Sequence, residues 1–254
     1  MKEFLYNLLN FVTFGKGLKR TINDHKLRLP TRYFKYFPAD YEKDNFDFLF
    51  ANCREGDIVL DIGAHIGLFA VIASQVTGKN GKVLAFEPAP STFKILKKTI
   101  EINNAENHID LFQKAVGRED GKALFFISDG AADNSNSMIS YKDDRPLHVI
   151  DIAITTIDSV VSEKKLERVD FIKIDVEGAE LDTLKGGSLT LQNLRPVCIV
   201  AIHPEPIRAK GDKLEDIYDL IISLKYTISM DNKNLERDKF LANTEMIDLH
   251  IRPV

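Results

Sequence analysis

The segment from Ile58 to Ala70, IVLDIGAHIGLFA, constrains the fold of this chain more than any other stretch. A short apolar run ends in Asp61, two glycines follow at Gly63 and Gly67, and an apolar segment of helical length begins at once. This order predicts a strand, a tight turn and a helix. Glycines let the backbone turn sharply and approach a ligand, while the first N–H groups of the helix face the strand end. The segment therefore predicts a nucleotide-binding turn.

The spacing of the two glycines indicates which nucleotide the turn binds. A dinucleotide-binding fold requires G-x-G-x-x-G, so that a pyrophosphate rests on the helix N-terminus. Here the spacing is G-x-x-x-G, and Asp61 stands where that fold has a neutral residue. A carboxylate at this place would repel a pyrophosphate but suits a ligand with an ammonium group. S-adenosylmethionine carries such a group, and we predict that it is the cofactor.

A second acidic residue supports the same ligand. The run VLAFEP, residues 83–88, is short and apolar and ends in Glu87, which lies 20 residues after Gly67. We expect Glu87 at the carboxyl end of the strand next to the one that carries Asp61. An acid there accepts hydrogen bonds from both ribose hydroxyls. The two acids and the glycine turn together predict one cofactor site.

Three blocks of the sequence resemble the FkbM-type methyltransferases. These are DIGAHIG at residues 61–67, FEP at residues 86–88 and FIKIDVEGAELDTLKGG at residues 171–187, and the similarity covers roughly residues 41–203. The third block is the specific one, because many adenosylmethionine-dependent enzymes share the first two. The resemblance implies O-methylation of a hydroxyl on a sugar, lipid-linked glycan, glycolipid or polyketide-like molecule.

The resemblance also implies cofactor contacts beyond the two acids and the glycines. They are Ala64 in the first block, Pro88 in the second, the Tyr41–Glu42 pair, and Ala115 and Val116 after the third strand. A solvated helix start is the alternative interpretation of Glu42, and core packing is the alternative for the last two residues.

Composition excludes several broad classes of protein. The chain has 254 residues, 44% hydrophobic and 28% charged, which suits one α/β domain with a small appendage at most. A net charge of −4 provides no basic field, so we expect no nucleic-acid partner. Two cysteines, Cys53 and Cys198, are too few for a disulfide framework or a zinc site. We expect both to be buried or semi-buried thiols in a reducing, cytoplasmic compartment.

The first twenty residues combine apolar residues at helical spacing with the basic residues Lys16, Lys19 and Arg20. No apolar run of the chain approaches the length that spans a bilayer, and no cleavable signal is evident. A helix in residues 1–20 could lie on a membrane surface, or it could pack its apolar face on the domain. We expect packing, because amphipathic helices usually face a core.

Alternating strands and helices predict an α/β fold with a doubly wound, mainly parallel sheet. The resemblance implies the seven-stranded Rossmann-like sheet of methyltransferases, formed by residues 41–254. Residues 1–40 lack strand-like runs, so we expect a helical or irregular cap. Between residues 117 and 160 the alternation breaks, and two strand-like runs flank a polar stretch. We expect an inserted hairpin or flap there, with Asp129–Ser137 near the mouth of the substrate site.

Lys173 lies in the middle of the predicted fourth strand, residues 169–175. A buried lysine is costly unless its charge is paired. Lys173 could pair with a carboxylate, or it could lie at the reaction centre, where burial lowers the pKa of a lysine enough for it to act as a base. We favour the ion pair, because buried charges are most often paired.

Asp175 and Glu177 follow at the carboxyl end of the same strand, where open α/β sheets bind their ligands. They could position the acceptor hydroxyl and take its proton, or they could bind a divalent cation. His203 follows the predicted fifth strand and reaches the same edge of the sheet, and histidine accepts protons near neutral pH. The resembling family commonly has Glu-x-His here, and Ala201 replaces that glutamate.

Our mechanistic hypothesis is an in-line methyl transfer in which the protein positions two reactants and removes one proton. Asp175 and His203 would orient and deprotonate the acceptor, and Lys173 and Glu177 would support them. We assign no metal ligands, although a cation-dependent O-methyltransferase with Asp175 and Glu177 as ligands is one alternative. A nucleotide-binding oxidoreductase and a non-catalytic adenosylmethionine-binding protein are the others.

Overall fold

The computed structural model describes residues 2–128, 147–230 and 233–254. The α-helices are α1 Lys2–Val12, α2 Lys43–Asn52, α3 Leu68–Thr77, α4 Pro90–Ile102, α5 Ile157–Glu163, α6 Glu180–Lys185, α7 Ser188–Asn193, α8 Pro204–Lys210, α9 Leu214–Ser223 and α10 Arg237–Leu241. The strands are β1 Leu18–Ile22, β2 His25–Leu29, β3 Ile58–Ile62, β4 Lys82–Phe86, β5 Ile109–Phe112, β6 Ala115–Val116, β7 Gly121–Ser128, β8 Leu147–Thr155, β9 Phe171–Ile174, β10 Val197–Ile202, β11 Tyr226–Met230, β12 Lys233–Asn234 and β13 Ile247–Pro253.

The main sheet has the strand order β12-β11-β13-β10-β9-β3-β4-β5. The five strands from β10 to β5 pair in parallel, and β13 pairs antiparallel with both β10 and β11. The predicted α/β fold with a mainly parallel sheet is therefore confirmed. The sheet has eight strands rather than the predicted seven, because the two-residue β12 extends one edge.

Both faces of the sheet are covered, as expected for strands that are apolar on both sides. Val59 of β3 and Phe171 of β9 belong to one buried cluster with α2 and α3. Their sequence neighbours Leu60 and Ile172 face the opposite cluster, which contains residues of α5, α6, α7 and α9. This alternation lets helices cover both faces of the sheet. Because β3 pairs in parallel with β4 and β9, the carboxyl ends of the three strands lie at one edge.

The predicted inserted hairpin is present. Strands β7 and β8 pair antiparallel over eight residues each, and β6 joins β8 in a separate three-stranded sheet. The third strand of the main sheet, which the sequence predicts to continue to residue 115, ends at Phe112, and Ala115 and Val116 belong to the small sheet. The predicted substrate segment Asp129–Ser137 lies outside the described residues.

The N-terminal segment differs from the expected helical or irregular cap. After α1, the strands β1 and β2 form an antiparallel hairpin, and their apolar side chains Ile22, Leu27 and Leu29 enter the buried cluster around α2 and α3. Because this hairpin closes the core, α1 does not pack its apolar face on the domain as we expected. Phe4 and Phe11 of α1 are 74% and 78% exposed. Within residues 2–128, 147–230 and 233–254, no helix combines the length and apolarity needed to cross a bilayer.

Candidate active site

The carboxyl ends of β3, β4 and β9 open into a cleft. Its floor comes from residues at the ends of these strands, and one wall comes from the segment that leads into α2, with Phe37, Tyr41 and Glu42. Phe125 of the inserted hairpin lines it as well. This is the place at which open α/β sheets bind ligands.

The glycine turn between β3 and α3 fits tightly against the neighbouring strand. Gly63 has φ +84°, and a Cβ added there would collide with the carbonyl oxygen of Asp175. The backbone N–H groups of Gly63 and Ala64 both donate to the Phe86 carbonyl, at 3.0 and 2.9 Å. Gly67, with φ +87°, begins α3, and a side chain there would collide with Leu96. Both glycines are therefore required by the backbone conformation and by close packing.

Asp61 is a fully buried carboxyl group at the base of the cleft. It has no exposed surface, and neither carboxyl oxygen has a hydrogen-bond partner among the described residues. Burial raises the pKa of Asp61 to about 7, against the opposing charge of Lys173 on the adjacent strand. A buried polar group without a partner is costly. A ligand that brings a positive charge or hydrogen-bond donors to Asp61 would offset that cost.

Glu87 is held in place by two backbone donors. Its Oε2 accepts from the N–H of His65 in the glycine turn at 3.0 Å, and its Oε1 accepts from the N–H of Ala89 at 2.9 Å. Burial raises the pKa of Glu87 to about 8. A carboxylate has about four acceptor positions, so each oxygen of Glu87 can accept another hydrogen bond from the cleft.

Lys173 forms an ion pair, as we favoured. Its Nζ lies 2.8 Å from Oδ2 of Asp175, and the lysine is 5% exposed. Burial alone would lower the pKa of Lys173, but the nearby carboxylates, Asp175 foremost, raise it well above its ordinary value. Burial likewise opposes ionisation of Asp175, yet Lys173 holds the pKa of that carboxyl below its ordinary value. The geometry thus favours a charged lysine that fixes Asp175 over a neutral lysine that acts as a base.

His203 lies behind the two acids and does not line the cleft directly. Its Nδ1 is 2.7 Å from Oε1 of the fully buried Glu180, and its Nε2 is 3.7 Å from oxygens of both Asp175 and Glu177. Burial alone would lower the pKa of His203. The hydrogen bond to Glu180 and the surrounding carboxylates outweigh that effect and raise the pKa to about 9.

Three cleft residues have left-handed backbone conformations, which residues other than glycine rarely adopt. They are Glu42 with φ +44°, His65 with φ +50° and Glu177 with φ +51°. Such conformations cost free energy and concentrate at functional sites, where the surrounding structure maintains them. Here all three residues, two acids and one histidine, line the same cleft.

Twelve of the fourteen predicted site residues line the cleft, and only Gly67 and His203 do not. Those that do are Tyr41, Glu42, Asp61, Gly63, Ala64, Glu87, Pro88, Ala115, Val116, Lys173, Asp175 and Glu177. The sequence analysis did not identify the aromatic and polar residues that complete the lining, including Phe37, Phe69, Thr92, Lys114 and Phe125.

Negative charge dominates the cleft. Its lining contains five carboxyl groups, those of Glu42, Asp61, Glu87, Asp175 and Glu177, and two lysines. Clefts lined by one sign of charge concentrate ligands of the opposite sign. The lining is therefore suited to a cationic ligand with hydroxyl groups and poorly suited to a pyrophosphate.

Comparisons with known proteins agree with this geometry. The sequence profile of the family described as Methyltransferase FkbM domain matches residues 61–228, which include all three sequence blocks. Methyltransferase 1 of Beauveria bassiana is 30% identical over 148 residues, covering 52% of this chain and 59% of that protein. Hexuronic acid methyltransferase AglP of Haloferax volcanii is 28% identical over 197 residues, covering 78% of this chain and 74% of that protein.

A solved structure shares the fold. Methyltransferase FkbM from Methylobacillus flagellatus has a TM-score of 0.50 and 17% sequence identity, covering 98% of this chain and 60% of that one. At this identity the likeness concerns the fold alone.

Proposed function

The chain belongs to the FkbM-domain methyltransferase family, and from that premise we propose that it methylates a hydroxyl oxygen of a sugar, glycan, glycolipid or polyketide-like molecule with S-adenosylmethionine. The observation that carries the proposal is Asp61, a fully buried carboxyl group that accepts no hydrogen bond from the residues the structure describes and lies in a cleft dominated by acids. The cofactor is a cation with an amino-acid moiety and a ribose, and it suits this lining.

On the cofactor side of the cleft, residues of the chain would bind and orient S-adenosylmethionine. When bound, S-adenosylmethionine would supply the methyl group of its sulfonium: an acceptor oxygen would bond to the methyl carbon in line as the carbon–sulfur bond breaks. Asp61 would attract the positive charge, and Glu87 would accept hydrogen bonds from ribose hydroxyls. The missing side chain at Gly63 lets the turn pack against the Asp175 carbonyl, which holds the turn beside the end of β9. Phe125 and Val116 would provide an apolar surface for the base.

On the acceptor side of the cleft, Asp175, Glu177 and His203 would orient the acceptor hydroxyl and accept its proton. Asp175 and Glu177 line the cleft and would hold the acceptor hydroxyl, with Lys173 fixing the position of Asp175. His203 would take up the proton behind them, through the 3.7 Å approaches of its Nε2 to both acids. Only neutral imidazole accepts a proton, and the surrounding carboxylates raise the pKa of His203 to about 9, so methyl transfer by this route should become faster as the pH rises toward 9.

Calorimetric titration with S-adenosylhomocysteine tests the proposal, with NAD as the control ligand. We expect binding of the first alone. Above a pH of about 8, where Glu87 is ionised, Glu87→Gln should weaken that binding by about tenfold or more, since hydrogen bonds to a charged group contribute about 1.5–3 kcal/mol. The exposed Glu55→Gln is the matched control and should bind as the wild type does. Binding of NAD instead would support the oxidoreductase alternative.

Acceptor screening would follow with uronic acids and other sugars. Sugars are tested first because the similar protein of Haloferax volcanii is a hexuronic acid methyltransferase. Transfer of a labelled methyl group to a sugar hydroxyl would support the acceptor class. Cofactor binding without transfer to any sugar, glycolipid or polyketide acceptor would count against it and would support the non-catalytic alternative.

A specific observation also favours a second candidate, a cation-dependent O-methyltransferase. Asp175, Glu177 and His203 each offer one ligand atom, and the three atoms lie within 4.8 Å of one another. Carboxylate oxygens and an imidazole suit a divalent ion such as Mn²⁺, and Glu180 on the other ring nitrogen is a typical orienting partner of a metal-bound histidine. A cation there would lower the pKa of a coordinated hydroxyl.

Titration of the protein with Mn²⁺, followed by electron paramagnetic resonance, separates the two candidates. A cation site should reduce the signal of free Mn²⁺, and Glu177→Gln should restore it. The exposed Glu205→Gln, two residues after His203, is the matched control and should leave binding unchanged. Undiminished free signal with the wild type, or turnover that chelators do not affect, would exclude the cation-dependent candidate.

A further inference from the structure

Helix α1 presents an unpartnered apolar stripe to solvent. Its exposed large apolar residues are Phe4, Leu5, Leu8, Phe11 and Val12, and Phe14 follows with 87% exposure. At 100° per residue, the five helical positions fall within an arc of about 120° on one side of the helix. Single exposed apolar side chains are ordinary, but a contiguous stripe marks an interaction surface.

The opposite side of α1 already contacts the rest of the chain. Tyr6, Leu9 and Thr13 are half-buried, and the Thr31 hydroxyl donates to the Tyr6 carbonyl at 3.4 Å. The Tyr6 side chain also hydrogen-bonds Lys35. Since the helix is docked through this side, and the hairpin β1–β2 closes the core below it, the stripe needs a partner outside the domain.

Charge in the N-terminal segment has the opposite sign to the rest of the chain. Residues 1–40 contain eight lysines and arginines and three acidic residues. Residues 41–254 contain 26 lysines and arginines and 35 acidic residues. The segment therefore has a net charge of about +5 in a protein whose total is −4. A local basic excess beside an apolar helix is typical of surfaces that bind anionic lipids.

Basic residues follow the stripe along the chain, from the end of α1 into the hairpin. On the hairpin, Lys19 pairs with Arg28 across the two strands, and Lys26 lies on the same outward side. The Arg28 guanidinium donates to the carbonyls of Lys16 and Gly17, at 3.1 and 3.3 Å, in the segment that joins α1 to β1. The cationic side of the hairpin thus begins where the helix ends.

We propose that α1 and the hairpin β1–β2 form a docking surface for an anionic lipid bilayer. The helix lies in the plane of the interface with its stripe among the acyl chains, and Lys16, Lys19 and Lys26 lie near the lipid phosphates. Basic residues near such a surface are attracted to the lipid phosphates, and phenylalanine side chains buried among the acyl chains add the hydrophobic contribution. A second copy of the chain is a poorer occupant, because a symmetric contact would bring two positively charged segments together.

Co-sedimentation of the full chain with vesicles tests the proposal. We expect it to sediment with phosphatidylcholine vesicles that contain about 30% phosphatidylserine, and much less with pure phosphatidylcholine, because anionic lipid supplies the attraction. Phe4→Ser with Phe11→Ser should weaken binding by at least about tenfold. Lys19→Gln with Lys26→Gln should weaken it and reduce its salt dependence.

Leu189→Ser, at an apolar residue of α7 that is 61% exposed, is the control and should bind vesicles as the wild type does. All these side chains are outside the cleft, so binding of S-adenosylhomocysteine should stay unchanged and report a folded protein. Absence of sedimentation with anionic vesicles, or equal sedimentation with neutral ones, would overturn the proposal. So would a dimer in analytical ultracentrifugation that the Phe substitutions dissociate, since the stripe would then be a protein interface.

Discussion

Gly63 is the position where the cofactor turn leaves no room for a side chain. Gly63→Ala should lower the free energy of unfolding by about 3 kcal/mol or more, since it combines φ +84° with a collision against the Asp175 backbone. Gly211→Ala is the matched control, because Gly211 has φ +92° with open space around it, and it should cost about 1–2 kcal/mol. Urea denaturation measures both values. Equal losses would contradict the steric explanation.

Asp61 should destabilise the free protein at alkaline pH. Burial raises its pKa from 3.8 to about 7. The folded state then retains a proton that the unfolded state has lost, so the free energy of unfolding falls as the pH rises from about 4 to about 7. Asp61→Asn cannot ionise and should be about 4 kcal/mol more stable than the wild type at pH 8, but not at pH 4.

The same substitution should weaken binding of S-adenosylmethionine, because it removes the charge that attracts the cofactor. Denaturation curves at the two pH values and one calorimetric titration measure these opposite effects. Asp61→Asn that lost both stability at pH 8 and affinity would indicate a structural role for the carboxylate instead.

Glu180 should set the charge state of His203. Glu180→Gln keeps an acceptor at the ring but removes the negative charge, so the pKa of His203 should fall from about 9 by at least about one unit. The stabilisation from the charged ring, present below the unfolded pKa and lost as pH rises through about 9, should shrink as well. A histidine NMR titration, assigned with His203→Asn, measures the shift. Asp182→Asn on the same helix is the control, and an unchanged pKa in Glu180→Gln would contradict the assignment.

At the scale of elements, Asn103 holds the N-terminal hairpin to α4. Its side chain mimics a strand: Oδ1 accepts from the Arg28 N–H and Nδ2 donates to the Arg28 carbonyl, both at 2.8 Å. Asn103→Ala should cost about 1–3 kcal/mol, because two part-buried backbone groups of Arg28 lose their partners. It should also speed tryptic cleavage in β2, as read by mass spectrometry. The exposed Asn107→Ala is the control, and identical cleavage rates would disprove the role.

Local patterns sufficed for most elements of the sheet. The sequence predicts a helix over residues 90–103 and a strand near residues 226–230, and α4 and β11 match these ranges to within one residue, because apolar periodicity and turn residues mark both ends. The missed hairpin also had a signal. The dipeptide Asn23–Asp24 lies between two runs that alternate apolar and polar residues. Its two residues have φ +46° and +65°, as in a type I′ turn. Basic residues on the exposed side concealed that alternation.

Contacts between distant elements could not be predicted in this way. Glu180 and His203 are 23 residues apart on a helix and after a strand, and only tertiary packing brings them to 2.7 Å. The same holds for Phe37 and Phe125, which enter the cleft from the N-terminal segment and the inserted hairpin. The acids and glycines of the site were predictable because strand ends place them at a common edge.

At the scale of the whole molecule, the predicted boundary at residue 40 does not coincide with a boundary of the core. Residues on both sides of it, such as Leu29 and Phe46, belong to one buried cluster. Phe37 and Tyr41, which flank it, line the same cleft. We therefore propose that residues 1–40 and 41–254 unfold as a single cooperative unit.

Two truncations test that proposal. Removing residues 1–40 deletes five buried apolar side chains, Ile22, Leu27, Leu29, Tyr33 and Phe37, and exposes their partners. At about 1.5–3 kcal/mol each, the loss is comparable with the whole stability of a domain, so the remainder should not fold. Removing residues 1–12 deletes mainly exposed side chains and should change the free energy of unfolding by about 1 kcal/mol or less. Circular dichroism melting and binding of S-adenosylhomocysteine distinguish the cases, and a fragment 41–254 that melted cooperatively and bound the ligand would establish the boundary at residue 40 instead.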